Sequence, residues 1–288
     1  MGGMTTVGVV SPGFMGAGLG WALIEGGARV VATVEGRSAR TRRLAEQAGL
    51  ELLPGLAEVV AAADIVLSVT PPDQALAAAR EIATVAWERG VSPLVVDLNA
   101  VAPTTMASIA EALGGLDVVD GSISGPPPTA QPGANVYFSG PRAAEVAGLP
   151  WAGKVKPIVL GPEVGSASAL KMCTASVYKG TTALITQALR TAGAHGVLDQ
   201  VLADLQQGGV QDPAGVATAA TKAHRFVGEM REIALTQSEA GLTPALFEAF
   251  AEVYAQIATT ALADGDPESA RRLTPAEIVG QLAQGPGE

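Results

Sequence analysis

The chain has little sulfur and little imidazole: one cysteine, Cys173, and two histidines, His195 and His224, in 288 residues. A single thiol excludes an intramolecular disulfide and any multi-cysteine metal site, and it suits a reducing compartment. Neither histidine sits in a ligand-like cluster, so no metal site is expected. Basic runs are missing too. None is longer than the Arg42-Arg43 pair, and 18 Lys and Arg stand against 28 Asp and Glu, a formal charge of −10. A surface that tracks nucleic-acid phosphates needs the opposite balance, so the expected partner is a small molecule. No unbroken apolar stretch reaches the roughly 18 residues of a membrane helix, and no basic n-region leads into an apolar h-region. The expectation is a cytoplasmic protein that neither spans a membrane nor is exported.

Apolar residues make up 48% of the chain, enough for one large domain or two ordinary ones. Thr5 to Val10 is a β-branched run that reads as a buried strand. Ser11, Pro12, Gly13, Phe14, Met15 and Gly16 follow, and then a small-residue helix through Ile24. Gly13 would let the backbone approach a pyrophosphate, and Gly16 would let the helix lie close to the strand. The helix N-terminus offers amide donors to an anion. Ser11 occupies the place of the first glycine in G-x-G-x-x-G. A second strand, Arg29 to Val34, follows at the spacing of a βαβ dinucleotide unit. At its tip Glu35 is placed to bond a ribose 2′-hydroxyl, favouring NAD. Arg37, Ser38 and Arg40 suit a 2′-phosphate, favouring NADP. NADP is preferred, with NAD as the alternative. The plainer reading makes these arginines the solvated face of a helix from Ser38 to Gln47.

Further strands are expected at Leu50–Leu53, Asp64–Thr70, Leu94–Asn99, Leu116–Ile123, Asn135–Ser139 and Val155–Leu160, with helices at Leu56–Ala63 and Asp73–Trp87. The alternation gives an α/β fold class, a Rossmann-type doubly wound sheet. Ligands in such sheets lie beyond the carboxyl ends of the strands. Thr70, Pro71 and Asn99 are therefore candidate contacts to ribose or nicotinamide, or else start the next helices. Ser124 and Gly125, followed by three prolines, form either a clamp for a substrate carboxylate or a stiff connector.

Beyond Gly161 the pattern is helical. A long helix from about Gly165 carries Lys171, and others are expected at Leu198–Gln206, Pro213–Ala240, Pro244–Leu262 and Pro275–Gln284, before a loosely held Gly285-Pro286-Gly287 tail. Leu246, Phe250, Val253 and Ile257 form a stripe that is core or dimer interface. The reading divides the chain into a dinucleotide-binding domain, 1–161, and an all-helical substrate and dimerisation domain, 162–288. Cys173 is expected to be a small buried side chain, and Arg225 with Glu229 an ordinary i,i+4 ion pair.

Four segments, Gly8 to Gly16, Asp97 to Pro103, Asp120 to Gly125 and Gly165 to Lys171, resemble the β-hydroxyacid dehydrogenase superfamily, which includes 3-hydroxyisobutyrate dehydrogenase, 6-phosphogluconate dehydrogenase and the imine reductases. Arg225 to Met230 looks typical of a branch whose helical domain has no assigned role. The resemblance implies a Rossmann domain, a helical C-terminal domain, a homodimer and NAD(P)-dependent hydride transfer to or from a small hydroxyacid or carbonyl compound. Carried over by position, Lys171 matches the catalytic lysine, and Ser124 with Gly125 the substrate-binding pair. The family's asparagine four residues after the lysine is Ala175 here, which leaves extra room. Thr174 and Tyr178 lie on the same helical face as Lys171 and would partly replace the missing amide, with Tyr178 a second proton donor. Imine reduction is the enzymatic alternative, and a non-catalytic dinucleotide sensor the other.

Overall fold

A computed structural model describes residues 5–129, 133–153, 155–209 and 213–285, which leaves Pro286 and Gly287 of the expected tail outside the described residues. Strands and helices alternate from the start: β1 (Thr6–Val10), α1 (Phe14–Glu25), β2 (Arg29–Ala32), α2 (Ala39–Gln47), β3 (Glu51–Leu52), α3 (Leu56–Ala62), β4 (Ile65–Ser68), α4 (Pro72–Arg89), β5 (Leu94–Asp97), α5 (Pro103–Ala112) and β6 (Val118–Ser124). β7 (Ala134–Ser139), α6 (Ala143–Ala147) and β8 (Val155–Gly161) follow. The strands form one sheet in the order β3-β2-β1-β4-β5-β6-β7-β8. β1 to β6 run parallel, β7 is antiparallel to β6, and β8 is parallel to β7. This is the expected doubly wound sheet, and its order reverses between β1 and β4, where such sheets open a crevice for ligands.

Both faces of the sheet are covered, so strand residues are apolar on both sides. Val7, Val9, Leu67 and Val96 pack in one core with Leu19 and Leu23 of α1. Val10, Val66 and Val95 pack in the other with Ile82 of α4 and Met106 and Ile109 of α5. α5 and α6 carried no clear periodic signal: α5 buries Met106 and Ile109 alone within its span, and α6 is five residues long. Gly26 caps α1 with its backbone pressed against the Pro150 carbonyl, leaving no space for a Cβ. Gly26→Ala is expected to destabilise the protein by about 2–3 kcal/mol, since the obstacle is backbone. A urea midpoint within error of the parent's would contradict it.

The remaining elements are α7 (Ser166–Ala194), α8 (Leu198–Gln207), α9 (Pro213–Ala220), α10 (Ala223–Glu239), α11 (Ala245–Ile257), α12 (Pro267–Ala270) and α13 (Pro275–Ala283). The helix expected over Pro213–Ala240 is two helices, interrupted at Thr221 and Lys222. The Thr221 hydroxyl there bonds back to the Thr218 carbonyl at 3.0 Å. The chain divides into two compact units, Met1–Met172 and Cys173–Glu288. The division lies inside α7, past the Gly161 boundary read from the sequence, because the first turn of α7 is hydrogen-bonded to the sheet. In the second unit Gly180 of α7 meets Phe247 and Phe250 of α11, Gly193 meets Val279 of α13, and Phe226 packs edge-on to Tyr254 with centroids 5.3 Å apart. Among the described residues no helix is long and apolar enough to cross a membrane.

Candidate cofactor and substrate site

β1 ends in the glycine turn. Ser11 has φ 64°, the left-handed region that favours glycine, so this serine holds the backbone that a first glycine would take. The Gly13 N–H donates to the Ser11 carbonyl at 2.7 Å, closing the turn. A Cβ on Gly16 would come 2.7 Å from that carbonyl, whereas one on Gly13 would meet nothing within 4 Å. Gly16 thus sets the closeness of helix and strand, and Gly13 leaves an open approach. Pro12 is buried and Met15 half-buried. Gly13 is the N-cap of α1 and no side chain caps it, so the first amides of the helix keep their donor capacity for an anion.

At the tip of β2 the candidate groups separate. Glu35 carries its carboxylate to within about 3 Å of where a Gly55 Cβ would stand, at the N-cap of α3. Ser38 caps α2, its hydroxyl accepting from the Thr41 N–H at 3.2 Å. Arg37 is exposed, and Arg40 holds its guanidinium 5.9 Å from the centre of the exposed Phe14 ring, a cation–π contact beside the glycine turn.

The ends of β4 and β5 are joined through Asn99. Its side-chain oxygen accepts from the Thr70 N–H at 2.5 Å, and its amide nitrogen donates to Ser68 Oγ at 3.2 Å and Asp97 Oδ2 at 2.7 Å. Asp97 Oδ1 accepts from the Asn99 backbone N–H at 3.0 Å. Asn99 is buried, and these bonds occupy its amide, so it positions the loop that carries Thr70 and Pro71. Pro71 is the N-cap of α4. Burial pushes the Asp97 carboxyl up to about 7, helped by the charge of Asp120 and opposed by the bonds from Asn99 and Ser68. A carboxyl raised in the folded state binds a proton that the unfolded chain has released, so stability falls as pH rises from about 4 to about 7 and levels off above. The expected loss between about pH 5 and pH 8 is on the order of 2 kcal/mol. Urea titrations of the parent and Asp97→Asn should show it as a slope absent from the variant; parallel curves would place the pH dependence elsewhere.

β6 carries the next group. Asp120, fully buried, accepts from Ser139 Oγ at 3.0 Å, the Gly165 N–H at 2.9 Å, the Ser168 N–H at 3.0 Å and the Ser168 hydroxyl at 2.7 Å. Ser139 Oγ in turn accepts from the Ala167 N–H at 3.0 Å. A carboxylate therefore closes the N-terminus of α7, satisfying amides that would otherwise be orphaned. One turn on, Lys171 donates from Nζ to the Ile123 carbonyl at 2.7 Å. Burial holds its ammonium below the usual lysine range. Ile123 immediately precedes Ser124 and Gly125, so the lysine is brought to the end of β6 beside the Ser-Gly pair. Gly125 has φ 125°, closed to other residues without strain. Pro127 and Pro128 lie against α1, where a Cβ on Gly18 would meet Pro128 Cδ at 2.9 Å. That part of the loop is a stiff connector.

α7 is continuous, so Thr174 and Tyr178 follow Lys171 on one helical face. Thr174 is half-buried and Tyr178 is 74% exposed. One expectation fails: Cys173 is exposed, not buried, whereas Ala175 two positions on is buried, because successive residues of the helix point to different sides. In the second unit Glu229 pairs with Lys179 of α7, a partner far away in sequence.

Thr70 Oγ1 and Ser122 Oγ are buried without a hydrogen-bond partner among the described residues. Together with the uncapped start of α1 and the open face of Gly13, these orphaned hydroxyls near the carboxyl ends of β4 and β6 fit a nucleotide bearing phosphates and ribose hydroxyls. Asp97, Asp120, Ser139 and Ser168 were not singled out from the sequence. The available signal was an acid directly after a Val-Val pair, in Val95-Val96-Asp97 and again in Val118-Val119-Asp120.

Residues 6–149 match the NAD binding domain of 6-phosphogluconate dehydrogenase, and residues 192–257 match a domain of unknown function, DUF1932. An uncharacterized 28.5 kDa protein from the 7S RNA 5′ region of Methanothermus fervidus is 29% identical over 174 residues. That alignment takes in 60% of this chain and 66% of the relative, just under two thirds of its length. A conserved hypothetical protein from Sinorhizobium meliloti 1021 is 27% identical, with 97% of each chain covered and a TM-score of 0.62. Mycobacterium tuberculosis 3-hydroxyisobutyrate dehydrogenase, solved with L-serine, shares the fold at 21% identity and a TM-score of 0.66, covering 97% of this chain and 99% of the other. An imine reductase from Myxococcus stipitatus, in complex with NAD+, shares it at 20% identity and a TM-score of 0.51, covering 98% and 100%. With half the chain matched by the dehydrogenase NAD-binding domain and the sheet order and glycine turn in agreement, the protein belongs to the β-hydroxyacid dehydrogenase superfamily.

Proposed function

We propose that the chain is an NAD(P)-dependent oxidoreductase acting between a small hydroxyacid and its oxo form, with Lys171 carrying the proton. The supporting observation is the half-buried Lys171 ammonium, held on the Ile123 carbonyl beside Ser124 and Gly125. The nicotinamide would supply or take the hydride. In reduction Lys171 would stabilise the developing alkoxide and give it a proton; in oxidation it would take that proton back. Ser124 and the Gly125 amide would hold the substrate carboxylate. The glycine turn, Ser11 to Gly16, would bind the pyrophosphate, and Thr70, Pro71 and Asn99 would shape the ribose and nicotinamide end.

NADP is the preferred cofactor in this reading. Glu35 sits over Gly55, while Arg37 and Arg40 follow the tip of β2, and Arg40 already lies over Phe14. Arg40→Ala should weaken NADPH at least tenfold, the loss of one charge-assisted bond, with NADH little changed. Equal effects on both nucleotides would contradict the assignment. A homodimer is also proposed, since Val177 and Leu184 are exposed one heptad apart on α7. A monomeric mass by light scattering would refute it.

To test the reaction, purified protein is offered NADPH or NADH with β-keto acids, aldehydes and cyclic imines while nicotinamide absorbance is followed. Oxidation with keto acids is the expected result. Turnover with imines alone would replace the hydroxyacid reading by imine reduction. Nucleotide binding without turnover of any of these compounds would favour a sensor.

A further inference from the structure

Two aspartates stand side by side on β5 and β6. Asp97 and Asp120 are register partners, on neighbouring strands about 4.8 Å apart. Val95 and Val118, two residues before each, pack in the core that holds Ile82 and Met106, so the two carboxyls share that face of the sheet. Both are buried, with Asp97 1% exposed and Asp120 0%. Among the described residues no lysine, arginine or histidine forms an ion pair with either. The ionisable groups of α4 and α5, Asp73, Arg80, Glu81, Glu88, Arg89 and Glu111, are exposed, β4 offers only the Ser68 hydroxyl, and Lys171 of α7 places its Nζ on the Ile123 carbonyl.

Two like charges buried this close without a cation are strongly disfavoured, so the pair favours holding one proton. The donors around each carboxyl decide where it sits. Asp120 accepts four hydrogen bonds, two from the Gly165 and Ser168 amides at the start of α7 and two from the Ser139 and Ser168 hydroxyls. The helix N-terminus adds its own attraction for an anion. Asp97 meets the two Asn99 donors and the Ser68 hydroxyl, and a hydroxyl also accepts from a protonated acid. The charge therefore belongs on Asp120 and the proton on Asp97.

We propose that Asp97 is a positioning residue for α7: as a neutral acid it leaves the charge of the pair on Asp120, where that charge anchors the turn leading to Lys171. The movable side of the pair is α7, because the other partners, Ser68, Asn99 and Ser139, belong to the sheet strands or the residues just after them. Asp97 keeps its proton while α7 is docked and releases it when that turn opens and water enters. Opening therefore becomes easier as pH rises from the ordinary aspartate range to the docked one, and no easier above it. The proposal stands without the hydride-transfer reading, since its readouts need neither nucleotide nor substrate.

The test uses the full chain with carboxyl-¹³C aspartate, followed by NMR from about pH 4 to about pH 9, across the ordinary aspartate range near 4. One carboxyl carbon is expected to titrate at about 7 and to be missing from Asp97→Asn. Amide exchange at Gly165 and Ser168, corrected for the intrinsic rate at each pH, should speed up at least about tenfold in the parent between about pH 5 and about pH 8, and less than about twofold in Asp97→Asn. Val7 and Val9 of β1 report global opening, and their amides should change less. Asp120→Asn removes the facing charge and should bring the titration midpoint of Asp97 down, which keeps the test open where Asp97→Asn does not fold. The proposal is overturned by the lack of any aspartate carbon titrating above about pH 6, by an unmoved midpoint in Asp120→Asn, by equal pH profiles of Gly165 and Ser168 in the parent and Asp97→Asn, or by an equal change at Val7 and Val9.

Discussion

Lys171→Ala is expected to lower turnover by a factor of about 10² to 10⁴, the usual contribution of a positioned general acid or base, while nicotinamide-nucleotide affinity changes by less than about threefold. The asymmetry follows from where the lysine sits. Its Nζ is on the Ile123 carbonyl at the end of β6, whereas the turn proposed to bind the pyrophosphate lies between β1 and α1. Burial already disfavours its charged form, so the proton is easier to release than from a solvated lysine. Alanine removes both the proton and the charge that would face a developing alkoxide. Lys171→Arg should remain impaired, because a guanidinium stays charged through the working range and cannot cycle a proton. Single-turnover rates and nucleotide titrations on the same preparations separate the terms. Equal losses in rate and nucleotide affinity would make Lys171 a structural residue.

Asp120→Ala should cost about 3–4 kcal/mol of stability. The Asp120 carboxylate serves donors from Ser139, Gly165 and Ser168, all of them at buried residues, and truncation leaves those groups without an acceptor. Each orphaned buried donor costs about 1–3 kcal/mol, reduced where water can enter. The lost attraction between an anion and a helix N-terminus adds to this. Asp120→Asn keeps an oxygen acceptor but faces some of the same donors with an N–H, so an intermediate loss of about 1–2 kcal/mol is expected. Since Lys171 lies one turn beyond Ser168, the folded Asp120→Asn protein should also lose turnover. Urea denaturation gives the first quantity and steady-state kinetics the second. An Asp120→Ala protein as stable as its parent would mean that α7 is held by other contacts.

Much of the sheet was legible because its strands are buried on both faces. Runs such as Val7 to Val10, Ile65 to Leu67 and Leu94 to Val96 have no polar interruption, and the glycine turn after the first marks a βαβ unit. α5 and α6 were less legible, since weak amphipathicity or a single turn leaves no period to detect. The break at Thr221 and Lys222 was hidden for the opposite reason: the apolar pattern runs on either side of it. Lys171 and the Ser124-Gly125 pair stood out by position and by family likeness. The exposure of Cys173 and the burial of Ala175 did not, because either side of a helix can be covered, and tertiary packing chooses which.

By itself the sequence determined a local grammar: strands separated by helices, a turn whose glycines admit a phosphate, a lysine early in a long helix, and a composition unsuited to nucleic acid or disulfides. Those properties depend on neighbours within a few residues or on the sum over the chain. The tertiary structure decided which distant groups meet. Asp120 reaches Ser168 across 48 positions, Asn99 reaches Ser68 across 31, and Lys179 finds Glu229 on another helix. Buried polar groups must be satisfied wherever the fold places them, and no short-range pattern specifies a partner that only the packing of whole elements brings within 3 Å.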